Sequence, residues 1–376
     1  RGHAFHFVSY PTRREESNFF SFSSRCSLSF LMKKVSAIVV NWNGKDVLSG
    51  CLQSLLKQDY ENLGIWVSDN GSEDDSQAMV KEFYPSVRLL ENGQNLGFGS
   101  AVNRVLEKAE GDYFLFLNND LELASDCIGQ LVNLLESDPR IGAAIPKILY
   151  HPDGKKPSPN NSAVINSFGV LVNYTGIACP NLVDQQDKDD LSLTETACGG
   201  IFMFRREVYE QVGGFDEDLF LYHEDHDLSW RIRLGGWKLM VTPKSVCYHH
   251  YNFNKGVQKF YRSEKNRLHI LLKNMECKTL ALIFPALVVV ELAQIVHALV
   301  HGWLGLKIKS YFEILGQLLR IARKRRQIRS SRKVSDKEIS RLYQGTIAVS
   351  GMKNPLMDNI LSPLLSAYWK LIRGWI

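Results

Sequence analysis

The amino-acid sequence predicts an α/β fold in which a mostly parallel sheet is covered by helices on both faces. Between residues 35 and 117, short apolar runs typical of buried strands alternate with stretches in which apolar residues recur at helical spacing. Strands separated by helices need crossover connections, and these connections produce parallel pairing. Ligands of such sheets bind beyond the carboxyl ends of the strands, so the residues that follow each strand are the first candidates for a functional site.

The alternation begins with a continuous apolar run and repeats three times. The predicted strands and helices, starting with a strand and alternating, are 35–41, 47–57, 65–68, 74–83, 87–91, 99–109 and 113–117. A polar stretch from about 150 to 195 predicts irregular loop. A helix at 205–212, a helix from Glu224 to Leu234 and two strand-like segments at 238–242 and 245–248 follow.

Sequence character divides the chain into three regions. With 376 residues the chain can form one large domain and an appendage. Residues 1–31 are rich in Phe, Ser and Arg and lack periodicity, and we interpret them as an N-terminal extension without function. We predict an α/β domain over residues 32–275 and a helical, membrane-associating region over residues 276–376.

The apolar stretch 279–306 is the reason for predicting membrane association. At ~1.5 Å per residue it could cross a hydrocarbon core of ~30 Å. Glu291 near its middle would cost about 2.5–3.5 kcal/mol there, and basic residues flank both ends. If this stretch crossed the membrane once, with the α/β domain in the cytosol, it would also place the basic run at residues 320–333 on the non-cytosolic side, against the usual preference for basic residues on the cytosolic side. A helix lying in the interface, or a shallow hairpin, is therefore favoured, and a buried helical subdomain stays open as the alternative.

Charge and cysteine content narrow the partners and the compartment. The net charge of +5 is mild, and we expect no nucleic-acid partner. A dense basic run predicts either contact with an anionic membrane surface or a solvated helix face; it comprises Arg320, Arg323, Lys324, Arg325, Arg326, Arg329, Arg332 and Lys333. The seven cysteines are scattered, which argues against a disulfide framework or structural zinc and favours a reducing cytosol.

Polar residues follow three of the predicted strands. The sequences after them are Asn41-Trp42-Asn43-Gly44, Asp69-Asn70-Gly71-Ser72 and Asn118-Asn119-Asp120. Each alone is explained by turns and helix caps, but all three at one sheet edge predict a ligand site. A carboxylate such as Asp120 suits Mg²⁺ or Mn²⁺, which prefer oxygen ligands and neutralise a departing diphosphate.

A nicotinamide enzyme is excluded by the glycine pattern. Gly97-Phe98-Gly99 resembles the start of a dinucleotide fingerprint, but the third glycine position holds Val102. A partial match of this kind carries little weight.

Taken together, the motifs from Val35 to about residue 275 resemble the family-2 glycosyltransferases of the GT-A fold, in their rhamnosyltransferase-like branch. Besides the three strand ends, the matching sequences are Asn95-Leu96-Gly97-Phe98-Gly99, Gly213-Gly214-Phe215-Asp216 and Glu224-Asp225-His226-Asp227. The resemblance implies a Rossmann-like mixed sheet and an inverting transfer of one sugar from a nucleotide-diphosphate sugar, such as dTDP-rhamnose or a UDP- or GDP-sugar. It implies a lipid-linked or cell-envelope glycan acceptor, Mn²⁺ or Mg²⁺ as cofactor, and a place at the cytoplasmic face of the membrane, peripheral or monotopic.

The resemblance also assigns roles to individual residues. It places Trp42 against the nucleotide base, and the nucleotide among Asn41, Trp42, Asn43, Asp69, Asn70 and Asn119. Asp120 matches the metal-binding aspartate, although Asn-Asn-Asp replaces the usual DxD, and His249 matches the histidine that completes the metal site. Gly199 and Gly200 are secondary candidates. The processive signature QxxRW is absent, which favours a non-processive enzyme.

Three acids at the start of one predicted helix compete for the role of general base. Asp227 lies one turn before Arg231, which favours an ion pair between them. Glu224 precedes the first turn and suits a cap, so Asp225 is the predicted base, as the resemblance also implies. A nucleotidyltransferase, or a non-catalytic nucleotide-sugar-binding protein, stays open as an alternative function.

Overall fold

The computed structural model describes residues 32–152, 163–251, 256–347 and 357–376. The extension predicted at residues 1–31 lies outside the described residues. The strands are β1 (Val35–Asn41), β2 (Leu63–Asp69), β3 (Arg88–Glu91), β4 (Tyr113–Asn118), β5 (Leu121–Leu123), β6 (Ile141–Tyr150), β7 (Ile165–Ser167), β8 (Val170–Asn173), β9 (Ala178–Pro180), β10 (Thr194–Glu195), β11 (Ile201–Arg205), β12 (Lys238–His249) and β13 (Tyr343–Gln344).

Helices follow the strands as the apolar spacing predicts, and they dominate the C-terminal part. They are α1 (Lys45–Leu56), α2 (Ser76–Phe83), α3 (Phe98–Leu106), α4 (Cys127–Ser137), α5 (Arg206–Val212), α6 (Glu224–Leu234), α7 (Gly256–Asn274), α8 (Cys277–Val300), α9 (Leu304–Ser331), α10 (Asp336–Ser340) and α11 (Ser362–Ile372).

Among the described residues, one large sheet has the order β10-β12-β6-β11-β4-β1-β2-β3, with β5 against β12 and β7 against β6. β1 pairs in parallel with β2 and β4, in a register that sets Asn41 beside Asp69 and Val40 beside Asn118. β11 lies antiparallel between β4 and β6, so the sheet is mixed. This arrangement brings the polar ends of β1, β2 and β4 to one edge, as the sequence predicts.

Two segments differ from the sequence-based expectation. The described part of the stretch 150–195 holds short strands, β7 to β10, rather than loop alone. The two strands expected before His249 are one continuous strand, β12, with an irregularity between Thr242 and Val246 where its pairing with β6 shifts. The irregularity absorbs the extra residues while both halves keep their pairing.

An aromatic cluster fills the first core, between the sheet and the helices on one face. Phe116 lies edge-to-face against Phe202, with ring centroids 3.8 Å apart, and against Phe215 at 4.8 Å. All three side chains are buried. Since Phe116 belongs to β4 and Phe202 to β11, this packing fixes the ends of the strands that carry Asn118 and Gly200.

A second core joins the C-terminal helices to the sheet region. Tyr174 stacks on Trp369 at 4.6 Å between ring centroids and donates a hydrogen bond to the Leu365 carbonyl oxygen at 3.0 Å. β13 pairs in parallel with β8, although about 170 residues of chain separate them. Lys34–Ile376 accordingly forms one compact unit, in which the described residues of the C-terminal region, 276–347 and 357–376, pack onto the α/β region.

α8 and α9 form an antiparallel hairpin. They are joined by a turn at His301–Trp303, and the far end of α9 returns to the start of α8, where Arg325 Nη2 lies 3.2 Å from Cys277 Sγ. Within the described ranges, α8 is the one helix long and apolar enough to cross a membrane by length and composition. Its partner helix α9 folds back along the protein rather than away from it.

Glu291 of α8 points into the protein. Its carboxylate accepts from Lys307 Nζ at 2.8 Å and from the Tyr311 hydroxyl at 2.5 Å, and it pairs with the buried Arg267 of α7. Buried Glu264 pairs with the same two cations, Arg267 at 2.9 Å and Lys307 at 2.8 Å. This four-charge network ties α8 to α7 and α9. Glu291 is therefore paired inside the protein, and the free-energy cost calculated above for an unpaired Glu291 in lipid does not apply.

The opposite faces of the hairpin are apolar and exposed. The exposed apolar side chains of α8 and α9 are Phe284, Val288, Val289, Leu292, Val296, Leu299, Val300, Ile308, Phe312, Leu315, Leu318 and Leu319. Large exposed apolar patches are characteristic of protein or membrane interaction sites.

Candidate active site

The side-chain amide of Asn41 joins the three polar strand ends. Its Nδ2 donates to Asp69 Oδ2 at 2.9 Å and to Ser72 Oγ at 3.1 Å, while its Oδ1 accepts from Asn119 Nδ2 at 2.7 Å. Gly44 leaves room for this contact, because a Cβ there would collide with the Asn119 amide. The sites predicted after β1, β2 and β4 are therefore one connected structure.

Asp69 is fully buried and its carboxylate is saturated by internal donors. Oδ1 accepts from the backbone N–H groups of Gly71 at 3.1 Å and Ser72 at 2.9 Å and from Gln77 Nε2 at 2.6 Å. Burial alone would raise the pKa of Asp69, but these hydrogen bonds and those from Ser72 Oγ and Asn41 outweigh it and lower the pKa. Asp69 therefore stays ionised and holds the loop after β2 in place.

Asn70 is also buried and links the loop after β2 to the loop after β3. Its Nδ2 donates to the Gly97 carbonyl oxygen at 3.1 Å, and its Oδ1 accepts from Asn92 Nδ2 at 3.0 Å. The next residue along, Phe98, donates its N–H to the Phe220 carbonyl oxygen at 2.9 Å. The loop after β2 is thus connected through residues 97 and 98 to the segment that precedes α6.

Trp42 and Asn43 line the open side of this edge. Trp42 is 56% exposed, so its ring is available for stacking. Asn43 has a left-handed backbone, with φ of 49°, and its Oδ1 accepts from the N–H of Glu73 at 2.8 Å. Together they leave an accessible aromatic surface beside the rigid Asn41–Asp69 connection.

Asp120 and His249 meet where β4 and β12 end. Asp120 Oδ2 lies 3.3 Å from His249 Nε2, and His249 Nδ1 lies 3.0 Å from Asn166 Oδ1. When Nδ1 donates its proton to Asn166, the lone pair of Nε2 is directed toward the carboxylate. A carboxylate and an imidazole that an outer hydrogen bond orients are groups that could hold a divalent cation between them.

α6 begins in a strained segment that presents Asp225. The residues Phe220, Tyr222 and His223 all adopt positive φ, of 38°, 70° and 66°. Such strain persists only where surrounding contacts fix it and is common at functional sites. His223 is fixed by Ser263 Oγ, 2.9 Å from its Nε2. Asp225, which follows, is half-buried and accessible.

The two glycines predicted as secondary candidates contact Asp225. The N–H of Gly200 donates to Asp225 Oδ2 at 3.3 Å, and a Cβ at Gly199 would lie 3.7 Å from the same oxygen. A Cβ at Gly200, whose φ is 70°, would lie 3.9 Å from Asn118 Nδ2 at the end of β4. One glycine therefore separates Asp225 from the strand end that leads to Asp120.

Burial raises the pKa of Asp225, although hydrogen bonds from the N–H groups of His226 and Gly200 lower it in part. Burial, and then the neighbouring charge of Asp225, hold the pKa of Glu224 well above its usual range. Glu224 Oε2 is buried without a hydrogen-bond partner, and the side chain does not cap the helix. The capping role expected for Glu224 was wrong: α6 already starts at Glu224, and His223 holds the N-cap position.

The ion pair expected for Asp227 is confirmed. Arg231 Nε lies 2.8 Å from Asp227 Oδ2, while Lys273 Nζ lies 2.7 Å and Asn274 Nδ2 2.9 Å from Asp227 Oδ1. Burial would raise the pKa of Asp227, but the two cations lower it to about 2. Asp227 is a fully buried structural anion, whereas Asp225 is accessible.

Comparison with known proteins decides the family. A model described as "Glycosyl transferase family 2" matches residues 36–213, and a model described as "N-terminal domain of galactosyltransferase" matches residues 190–253. Together they span the strand ends of β1, β2 and β4, Asp225 and His249. Residues 36–213 are a family-2 glycosyltransferase domain.

Curated relatives share the same part of the chain. An N-acetylglucosaminyl-diphospho-decaprenol L-rhamnosyltransferase of Mycobacterium tuberculosis is 29% identical over 240 residues, which is 58% of this chain and 76% of that protein. The O-antigen biosynthesis protein RfbC of Myxococcus xanthus is 28% identical over 234 residues, which is 58% of this chain and 17% of that protein. The rhamnosyltransferase-like branch is therefore confirmed.

A solved structure confirms the GT-A fold. The structure of GalNAc-T7 with UDP, GalNAc and Mn²⁺ superposes with a TM-score of 0.53 at 20% identity, covering 64% of this chain and 48% of that chain. The match spans about half the length of that protein. The family-2 glycosyltransferase thus keeps the mixed GT-A sheet, with the C-terminal helices packed onto it.

Several residues of the candidate site were not anticipated from the sequence. Ser72 and Gln77 hold Asp69, and Asn166 orients His249. Ser72 lies in the quoted turn motif and could have been included on that ground. Asn166 lies in a polar stretch without a motif, and its role depends on β7 pairing with β6.

Proposed function

We propose that this glycosyltransferase transfers one sugar, with inversion, from a nucleotide-diphosphate sugar to a lipid-linked or glycan acceptor at a membrane surface, assisted by Mn²⁺ or Mg²⁺. The observation that carries the proposal is the position of two chemically different groups at one sheet edge. One is the Asp120–His249 pair, and the other is Asp225, an accessible carboxylate whose pKa burial raises.

Asp120 and His249 would hold the cation. A bound divalent cation would neutralise the charge of the diphosphate as it leaves. A carboxylate oxygen with an oriented imidazole suits Mn²⁺ well, while the diphosphate supplies the remaining oxygen ligands. The structure given for the GalNAc-T7 neighbour contains UDP and Mn²⁺, which supports a nucleotide donor and a divalent cation here as well.

Asp225 would act on the acceptor. Inverting transfer needs a base that takes the proton of the acceptor hydroxyl as that oxygen attacks the sugar carbon. Gly200 holds one oxygen of Asp225 by its N–H at 3.3 Å, and the absence of side chains at residues 199 and 200 leaves space beside the carboxylate. The raised pKa makes Asp225 a better proton acceptor than an ordinary aspartate, once it is ionised.

The nucleotide would lie against Trp42 and the rigid Asn41–Asp69 connection. Because Asp69 and Asn70 are buried and hydrogen-bonded internally, we propose that they shape the pocket for base and ribose, while Trp42, Asn43 and Asn119 contact the nucleotide directly. In this proposal Asp69 and Asn70 are positioning residues: they act through the residues that contact the nucleotide.

The exposed face of the α8–α9 hairpin would lie in a membrane interface. The apolar faces of both helices are exposed, and Glu291 is satisfied inside the protein. In the basic run, Arg320 and Lys324 pair with Asp218. Contact with anionic lipid would therefore come through the exposed basic side chains Arg323, Arg326 and Arg329.

Membrane contact would bring the site to the surface where a lipid-linked acceptor presents its sugar. The Mycobacterium tuberculosis relative is named for such an acceptor, which supports the same class here. Nucleotide sugars are cytosolic, so we propose a peripheral or monotopic enzyme at the cytoplasmic face.

Donor turnover tests this function against its alternatives. The purified chain is incubated with a panel of dTDP-, UDP- and GDP-sugars, with Mn²⁺ or with EDTA, and the products are separated by chromatography. We expect one donor to release a nucleoside diphosphate in a metal-dependent reaction. A parallel incubation supplies a nucleoside triphosphate and a sugar 1-phosphate, and formation of a nucleotide sugar with release of pyrophosphate there would indicate a nucleotidyltransferase. Binding without turnover in either incubation would indicate a non-catalytic sugar-nucleotide-binding protein.

A further inference from the structure

Beside the Asp120–His249 pair lies a second group of metal-ligand side chains. Glu122, His151 and His250 bring a carboxylate oxygen and two imidazole nitrogens within 4.8 Å of one another. Glu122 Oε1 is 2.8 Å from His250 Nε2, and Glu122 Oε2 is 3.6 Å from His151 Nε2. All three side chains are half-buried, so an ion from solvent could reach them.

The three ligands come from three different segments. Glu122 belongs to β5, His151 follows β6, and His250 follows β12. The rings of His151 and His250 stack with centroids 3.7 Å apart and planes at 25°, so both face the same carboxylate. Gly50 of α1 leaves the space that Glu122 fills, since a Cβ there would collide with Oε1 of that carboxylate. The group is thus held in place by its surroundings.

We infer that Glu122, His151 and His250 form a second metal site, selective for a transition metal such as Zn²⁺. Two imidazoles with one carboxylate are a ligand set of zinc sites. Imidazole nitrogen favours Zn²⁺, Ni²⁺ or Cu²⁺, whereas carboxylate and phosphate oxygens favour Mg²⁺ and Mn²⁺. The chemistry of the second site therefore differs from that proposed for Asp120 and His249 with a diphosphate.

A metal at this site would brace the residues that carry the donor site. The N–H of His250 donates to the Asp120 carbonyl oxygen at 3.0 Å, and the N–H of His151 donates to the His249 carbonyl oxygen at 3.0 Å. A cation bound by Glu122 and the two histidines would cross-link β5 to the ends of β6 and β12. It would restrain the backbone on both sides of the Asp120–His249 pair.

Zinc titration tests this inference without reference to sugar transfer. The full-length chain is freed of metal with a chelator and titrated with Zn²⁺ by calorimetry in the absence of nucleotide sugar. The site variant is Glu122→Gln/His250→Asn, and the matched control is Asp120→Asn/His249→Asn. We expect wild type and control each to bind one equivalent of Zn²⁺ with the same affinity. In the site variant the affinity for this Zn²⁺ should fall more than about 10-fold, because loss of even an outer-shell partner of a metal ligand lowers metal affinity on that scale.

Two further measurements keep the result interpretable. The single variant His151→Asn should also lower the affinity for this Zn²⁺, and it replaces the double variant in the test if the double variant does not fold. X-ray absorption at the zinc edge should report two imidazole ligands in the control variant. The inference is wrong if wild type binds no Zn²⁺, if the site variants bind it as wild type does, or if the control variant alone loses it.

Discussion

Replacing Asp225, at the start of α6, by asparagine should remove the proposed base and leave the fold intact. The substitution keeps the size of the side chain. In the wild type the N–H of His226 donates to Asp225 Oδ1 at 2.7 Å, and the amide oxygen of asparagine can still accept this hydrogen bond. The bond lost is the long one from Gly200 at 3.3 Å, a change of about 0.5–1.5 kcal/mol in stability. The variant should therefore fold.

Turnover should fall by roughly 10²- to 10⁴-fold, the usual scale for a positioned base. At about 1.36 kcal/mol per factor of ten, that corresponds to a barrier about 2.7–5.4 kcal/mol higher. Donor affinity should hardly change, because the base contacts the acceptor. The assay is initial rate at saturating donor, beside donor binding by calorimetry.

The two neighbouring acids are matched controls. Burial, and then the charge of Asp225, raise the pKa of Glu224 and so favour its neutral form, which the amide of Glu224→Gln resembles; its effect on turnover should be small. Asp227→Asn removes the buried anion that pairs with both Lys273 and Arg231, although Lys273 keeps its ion pair with Asp216. It should cost up to about 3–5 kcal/mol of stability, while the folded fraction stays active. Near-normal rates for Asp225→Asn, together with a folded but inactive Glu224 or Asp227 variant, would refute the assignment of the base.

Four further outcomes are expected. Asp120→Asn should abolish Mn²⁺-dependent donor turnover with an unchanged melting temperature, since its side chain is partly exposed. Wild-type turnover should decline on acidification at a pH above the usual aspartate range, because the raised pKa of Asp225 means that this base is protonated earlier, which a pH–rate profile measures. Leu292→Glu/Leu299→Glu should weaken liposome binding by at least about 100-fold in a sedimentation assay, because each buried leucine contributes about 1.5–3 kcal/mol, and Leu56→Glu on α1 should not. The stabilisation from Asp227, whose pKa of about 2 lies below the unfolded value, is present above pH ~4 and should be lost as pH falls from 4 toward 2 in denaturant titrations.

Local patterns predicted the strands well because burial on both faces leaves a continuous apolar run. β1 was predicted with its observed bounds, Val35–Asn41, and the polar residues after β1, β2 and β4 do lie together. The insertion of β11 antiparallel into the sheet could not be derived, because it depends on pairing between residues about 85 positions apart.

Contacts between distant segments were the part that sequence reasoning missed. Asp120 and His249 are 129 residues apart, and only the family resemblance joined them. The group of Glu122, His151 and His250 depends on β6 and β12 being neighbours, which no local pattern reveals. Likewise, the long apolar stretch 279–306 predicted a helix where α8 lies, but not that Glu291 turns toward Arg267.

The configuration of the sugar in the product tests the central claim most directly. The donor identified by the panel is supplied with an acceptor and Mn²⁺, and the anomeric proton of the first-formed product is followed by NMR. The account predicts an anomeric configuration opposite to that of the donor, no product in EDTA, and product formation from Asp225→Asn that is roughly 10²- to 10⁴-fold slower. A product that retains the donor configuration, or equal transfer in EDTA, would contradict it.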